Sequence, residues 1–272
     1  MNQFAKQRLE QIDREGFKLD FEAVFSEGFQ IWKKVTLPIL GGLFIVGIPA
    51  GLFFGALYPL IMGFSYAELI SIMQENPMYL SKMTTGLVPQ LKTSGLSLLL
   101  VLIFSPMYGG FIKLCHEADT TGNTNFGTIF SYYKAPYFIN LAVAGLLVAL
   151  ISTLPGVFIQ QIPIVGGLIY YPFIIIISIF TVYVNSLIIF ADASPIDALQ
   201  TSFKLASKNV GMLAAIIVVS SLVVFLGLVA CCIGIVFTMS FMYVMYYLVY
   251  KQTIGFETNT EDTSSSEIST SY

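Results

Sequence analysis

Three groups of side chains have types and spacings that could carry chemistry. Cys115, His116 and Glu117, with Asp119 two residues on, bring together a thiol, an imidazole and two carboxylates, the ligand types of a metal site. On a helix, successive side chains point about 100° apart, so only Cys115 and Asp119 share a face. His116 is the only histidine, so a metal would have to draw on thiols and carboxylates. Cys231-Cys232 has the atoms for redox or soft-metal chemistry, but two small apolar side chains closing a tight hairpin is the simpler reading. Ser178, Thr181 and Asn185 recur at i, i+3 and i+7, one heptad after Tyr171. Such a stripe either lines a polar groove or hydrogen-bonds neighbouring helices, at about 0.6 kcal/mol per contact. No phosphate-binding loop, HExxH signature or serine–histidine–acid set accompanies them. The residues therefore imply no catalytic centre, no cofactor and no metal.

The elements that must position these groups are set by composition. Of 272 residues, 56% are hydrophobic and only 11% charged, against roughly 25% charged in ordinary soluble domains. A water-soluble fold of this size could not hide so much apolar surface. The net charge of −3 is too small to suggest a nucleic-acid partner. The N-terminal 34 residues mix both charge signs and contain no continuous apolar run, which argues against a cleavable signal peptide.

Four stretches contain no Asp, Glu, Lys or Arg: 35–67, 93–112, 135–191 and 209–250. One span needs about 20 apolar residues, so the first two stretches hold one helix each and the last two hold two. The third divides at Gln160-Gln161-Ile162-Pro163 and the fourth near Cys231-Cys232-Ile233-Gly234. The expected spans are 37–61, 94–115, 138–159, 165–190, 210–231 and 235–250. With both termini in the cytoplasm, every Lys and Arg except Lys82 and Lys92 falls inside, as the positive-inside rule requires. No charge lies within a predicted hydrocarbon core, unlike proton relays and ion-coupled sites.

Three segments ahead of spans look alike: Phe25-x3-Phe29-x3-Lys33, Phe126-x3-Phe130-x3-Lys134 and Leu199-x3-Phe203-x4-Lys208. Each sets apolar residues at i and i+4 before a lysine, as an interfacial helix does. In the first, Phe17, Phe21, Val24, Phe25, Gly28 and Trp32 form one stripe. Tyr243, Tyr246, Tyr247 and Tyr250 crowd the inner end of the last span, where an aromatic belt is expected. The expected architecture is all-α and polytopic: six transmembrane helices as three repeated hairpins, each preceded by a cytoplasmic interfacial amphipathic helix. Residues 1–34 form the N-terminal amphipathic segment and 35–250 the membrane domain, with an external insert at 63–92. Residues 251–272 form an acidic, Ser/Thr-rich disordered tail.

Asp192-Ala193-Ser194-Pro195-Ile196-Asp197-Ala198-Leu199, Ser202-Phe203-Lys204, Lys208-Asn209, Leu226-Gly227-Leu228 and Cys231-Cys232-Ile233-Gly234 resemble a broad family of bacterial six-helix membrane proteins. Gly28-Phe29-x3-Lys33-Lys34 with Pro38 and Gly41-Gly42 is similar too. That family includes the membrane domain fused to some glycerophosphodiester phosphodiesterases. The resemblance implies a bacterial plasma-membrane location and the fold, and carries over no catalytic residue. The functional expectation is a non-enzymatic membrane protein that organises lipids or binds a protein partner. The alternative is a passive transporter or lipid-translocating protein that uses the Ser178, Thr181 and Asn185 face as a polar groove.

Overall fold

The long charge-free stretches are mostly helical where the chain is described, because a helix satisfies its own backbone amides in lipid. The computed structural model describes residues 1–75, 86–163, 165–230 and 234–257. Helices α1 (Gln3–Glu15), α2 (Phe21–Met62) and α3 (Tyr66–Glu75) precede α4 (Leu87–Thr120). A 3-10 helix over Phe126–Tyr133 leads to α5 (Tyr137–Gln160), α6 (Val165–Thr181) and α7 (Val184–Ala191). Then come α8 (Pro195–Lys208), α9 (Val210–Ala230) and α10 (Gly234–Thr253). Boundaries follow local chemistry. Asp20 caps α2 by accepting from the Ala23 N–H at 3.0 Å. Gly63, at φ 88°, ends the same helix in a left-handed conformation that suits glycine. Ser194 caps α8 with Pro195 in its first turn.

Five helical segments are long and apolar enough to cross a membrane: α2, α4, α5, α6 with α7, and the 210–227 part of α9. Their outer faces are apolar, with Leu52 73% and Leu168 76% exposed. Leaving a leucine in water rather than burying it costs about 1.5–3 kcal/mol, so lipid is the solvent these faces are built for. The chain is an all-helical, multi-pass membrane protein. Helix α10 is of similar length, but Thr238, Ser240 and its tyrosines make it less apolar.

The packing order follows the chain. Helix α2 contacts α4, α4 contacts α5, α5 contacts α6, α6 contacts α9, α9 contacts α10, and α10 returns to α2. Helix α4 also crosses to α10 and α7, which places it at the centre.

The segments expected to lie in the interface differ from one another. The first is the beginning of α2, continuous with the span, so the boundary at 34/35 falls inside one helix. Its stripe meets protein in part, with Val24 and Gly28 buried and Phe29 still 43% exposed. Phe25, Phe29 and Trp32 pack on Phe241 at 5.9, 5.1 and 6.0 Å. The second is the 3-10 helix, with Ile129 fully buried. A side chain on Gly110 of α4 would overlap the Ile129 carbonyl, so that glycine lets the segment's backbone pack on the bundle instead of floating in the headgroups. The third, α8, is a separate amphipathic helix with Ala198, Ser202 and Leu205 buried. The expected tyrosine belt is also corrected: Tyr243, Tyr247 and Tyr250 are buried, because α10 packs against α2, α4 and α9.

The charged helix α1 is docked along the lysine-rich end, with Ala5 and Ile12 buried. Asn2 donates from its backbone to the Ala191 carbonyl at 2.7 Å and from its side chain to that of Phe190 at 3.0 Å. At the other end, Asp13 pairs with Lys208 at 2.9 Å and also with Lys204. Residues 76–85 of the insert, the Cys231-Cys232 pair and the tail from 258 lie outside the described residues.

Candidate functional site

The fourth apolar segment is broken. Helix α6 ends at Thr181 and α7 begins at Val184, with Val182 and Tyr183 in a turn between them. No proline marks the position, since Pro172 lies well inside α6. A hydroxyl from another helix enters the gap instead. Ser202 of α8, fully buried, donates to the Phe180 carbonyl at 2.7 Å and accepts from the Tyr183 N–H at 3.3 Å. Insertion of a side chain into the helical ladder is a known cause of helix interruption. The Tyr183 side chain is anchored in turn, its hydroxyl 3.0 Å from that of Thr253 on α10.

A cavity of about 280 Å³ opens beside this break, between α4, α5, α6–α7 and α10. Ser178, Thr181 and Asn185, the sequence candidates, all line it. Tyr171, on the same heptad, does not; it is 72% exposed on the outer surface. The Ser178 and Thr181 hydroxyls donate within their own helix, to Ile174 and Ile177 carbonyls at 2.9 and 2.8 Å. Their remaining lone pairs can accept from a ligand. Asn185 has no hydrogen-bond partner among the described residues, so its amide offers two donors and an acceptor to the cavity.

Sequence reasoning missed Ser105 of α4. It is only 3% exposed, lines the same cavity and has no partner among the described residues. Its hydroxyl is open to the cavity, where it can donate to or accept from an occupant, whereas the enclosed hydroxyl without a partner among the described residues is that of Ser186. Gly145 of α5 makes the arrangement possible, since a side chain there would overlap the Ser105 hydroxyl. Among the described residues, no Asp, Glu, Lys, Arg or His lines the cavity. Its polar groups are hydroxyls and one amide set in apolar walls, which suits neutral hydrogen bonding and supplies no group for proton transfer near pH 7.

The Cys115 to Asp119 group is dispersed rather than assembled. Asp119 pairs with Lys251 at 2.8 Å and accepts from the Tyr247 hydroxyl at 2.6 Å. Lys251 also pairs with Glu27 at 3.0 Å. Glu117 takes the Thr128 hydroxyl at 2.8 Å. His116 packs its ring 4.3 Å from that of Phe256, and Cys115 is buried. Among the described residues, no three His, Cys, Asp or Glu side chains are placed to hold one metal ion. The group ties α4 to α2, α10 and the 3-10 helix.

No protein-family model, curated protein or solved structure matches this chain.

Proposed function

We propose that this chain is a non-enzymatic membrane protein that admits a small molecule or lipid portion to the cavity at the broken helix, as a passive transporter or translocator. The single observation that carries the reading is the convergence of Asn185 and Ser105, whose side chains have no partner among the described residues, on one cavity in mid-bundle. Interrupted helices in membrane proteins recur where a site must be built from polar groups at depth. A purely packed, lipid-organising bundle has no use for a cavity lined in this way. The proposal includes six spans in three repeated hairpins, with α10 as the sixth, and both termini in the cytoplasm of a bacterial cell. The lysine bias and the resemblance to six-helix proteins of the bacterial plasma membrane support that part.

Cysteine accessibility tests the reading. In a cysteine-free background, Ser105→Cys and Asn185→Cys should react with a small water-soluble thiosulfonate in lipid nanodiscs. Phe225→Cys, on the lipid-facing surface, should not. If both cavity positions stayed unreactive while a cysteine at exposed Asn123 was labelled, the bundle would be dry and the reading lost.

A further inference from the structure

A second cavity, of about 400 Å³, lies at the end of the bundle away from most lysines, and α4, α5 and α6 line it too, joined there by Tyr58 of α2. On α4, Gln90, Ser94 and Ser97 face this vestibule, while Val101, Ser105 and Tyr108 face the mid-bundle cavity. These six positions follow at intervals of three or four, which is one continuous face of a helix. On α5, Thr153 and Gln160 face the vestibule, and Gly145 and Ala149 face the cavity. The two spaces are separated by four residues on each helix, from Ser97 to Val101 and from Thr153 to Ala149, or about 6 Å of rise. Beyond the cavity, aromatic rings of α4 and α10 pack together. The Tyr243 ring lies 5.4 Å from that of Tyr108 and 5.0 Å from that of Phe111.

We infer that vestibule and cavity are two stations of one route for small, uncharged, multiply hydroxylated solutes, with Val101 at the narrowing between them. The inference rests on reading the mid-bundle cavity as a solute site, and adds the route and the chemical class. The class follows from the lining. Among the described residues, neither space has an Asp, Glu, Lys, Arg or His on its wall, so a desolvated ion would find no partner there and would be strongly disfavoured. A hydroxyl moved into apolar surroundings without a hydrogen bond is disfavoured, so a polyol needs replacement partners at each station. Ser94, Thr153 and Gln160 in the vestibule have no partner among the described residues, and Ser105 and Asn185 play the same part below. The spaces are also larger than a single file of water requires, since one water occupies about 30 Å³ of liquid.

The test is solute-driven recovery of proteoliposome volume after hyperosmotic shock, with glycerol or erythritol as the probe and potassium chloride conductance in parallel. Intact protein should speed polyol uptake and leave the membrane non-conducting. Pore width and lining set selectivity, so Val101→Phe should slow uptake by about fivefold and Val101→Ala should speed it by about twofold. Opposite shifts from one position cannot come from misfolding. Leu52→Phe, on the lipid face, should change nothing. Ion conduction, water passage without polyol passage, or the same response from both Val101 variants would overturn the route. Polyol impermeability with Ser105→Cys and Asn185→Cys still labelled would discard the solute class and route while leaving the cavity as a site. Impermeability with both positions unlabelled would remove both.

Discussion

The Ser202 hydroxyl sits between the carbonyl of Phe180 and the amide of Tyr183, joining two ends of a helix that has come apart inside an apolar segment. Removing it leaves both backbone groups unpaired, at a cost of about 1–3 kcal/mol. Ser202→Ala is therefore expected to lower the thermal unfolding midpoint in detergent, whereas Ser207→Ala, on an exposed hydroxyl of the same helix, should leave it unchanged. Equal midpoints for the two variants would mean that the break needs no bridge.

Gly145 and Ser105 form a matched pair across α4 and α5. Overpacking a close contact typically costs about 1–3 kcal/mol, so Gly145→Ala should destabilise by that order. Adding Ser105→Ala should restore part of the loss, because the overlapping oxygen is gone. A double-mutant cycle on unfolding midpoints reads the coupling, and strict additivity would show that the two do not meet.

Asp13 holds the far end of α1 to α8, and its hydrogen bonds to Lys204 and Lys208 keep its carboxyl below the ordinary carboxylate value of 3.8. A depressed pKa contributes stability above the unfolded value, and that contribution is lost as pH falls through the folded one. Docking at this end should therefore be constant from pH 7 to 5 and loosen below about pH 4. Spin labels at Arg8 and Ser207 would report the separation. Asp13→Asn should reproduce the loosened distance at pH 7, while the Asn2 end stays seated through bonds that do not titrate.

Much of this arrangement is legible in the sequence. Runs free of charge locate the long apolar segments, although α2 begins at Phe21 and α4 at Leu87, ahead of the runs that mark them. The spacing of Ser178, Thr181 and Asn185 picks out one wall of the cavity. The break at Val182 and Tyr183 is not legible, because no glycine or proline marks it and its bridging hydroxyl comes from Ser202, about twenty residues later. Ser105 escaped because Val101 interrupts the polar face that it shares with Ser94 and Ser97. The first approach segment merges with its span because nothing between Trp32 and Pro38 stops a helix, and Pro38 itself is accommodated inside α2. Docking of α1 depends on two small patches, Ala5 and Ile12, seven residues apart on an otherwise charged helix. That signal is real but carries little weight beside so many charges.

Orientation is the last prediction. Lys6, Arg8, Arg14, Lys204 and Lys208 lie on α1 and α8, which the Asp13 pairs join, and Lys251 lies at the end of α10. Lys82 falls in the sequence between the first two long helices, and Lys92 lies near the start of the second, α4. Lysine and arginine near helix ends are retained on the cytoplasmic side, so α1 and α8 should face the cytoplasm and α3 the outside. In whole cells expressing a cysteine-free chain, Gln74→Cys should react with a membrane-impermeant maleimide. Asn123→Cys should react only after the cells are opened. Both positions are exposed, so failure to label reports sidedness rather than burial. Reaction of Asn123→Cys in intact cells, with Gln74→Cys protected, would invert the topology and place the vestibule on the cytoplasmic side.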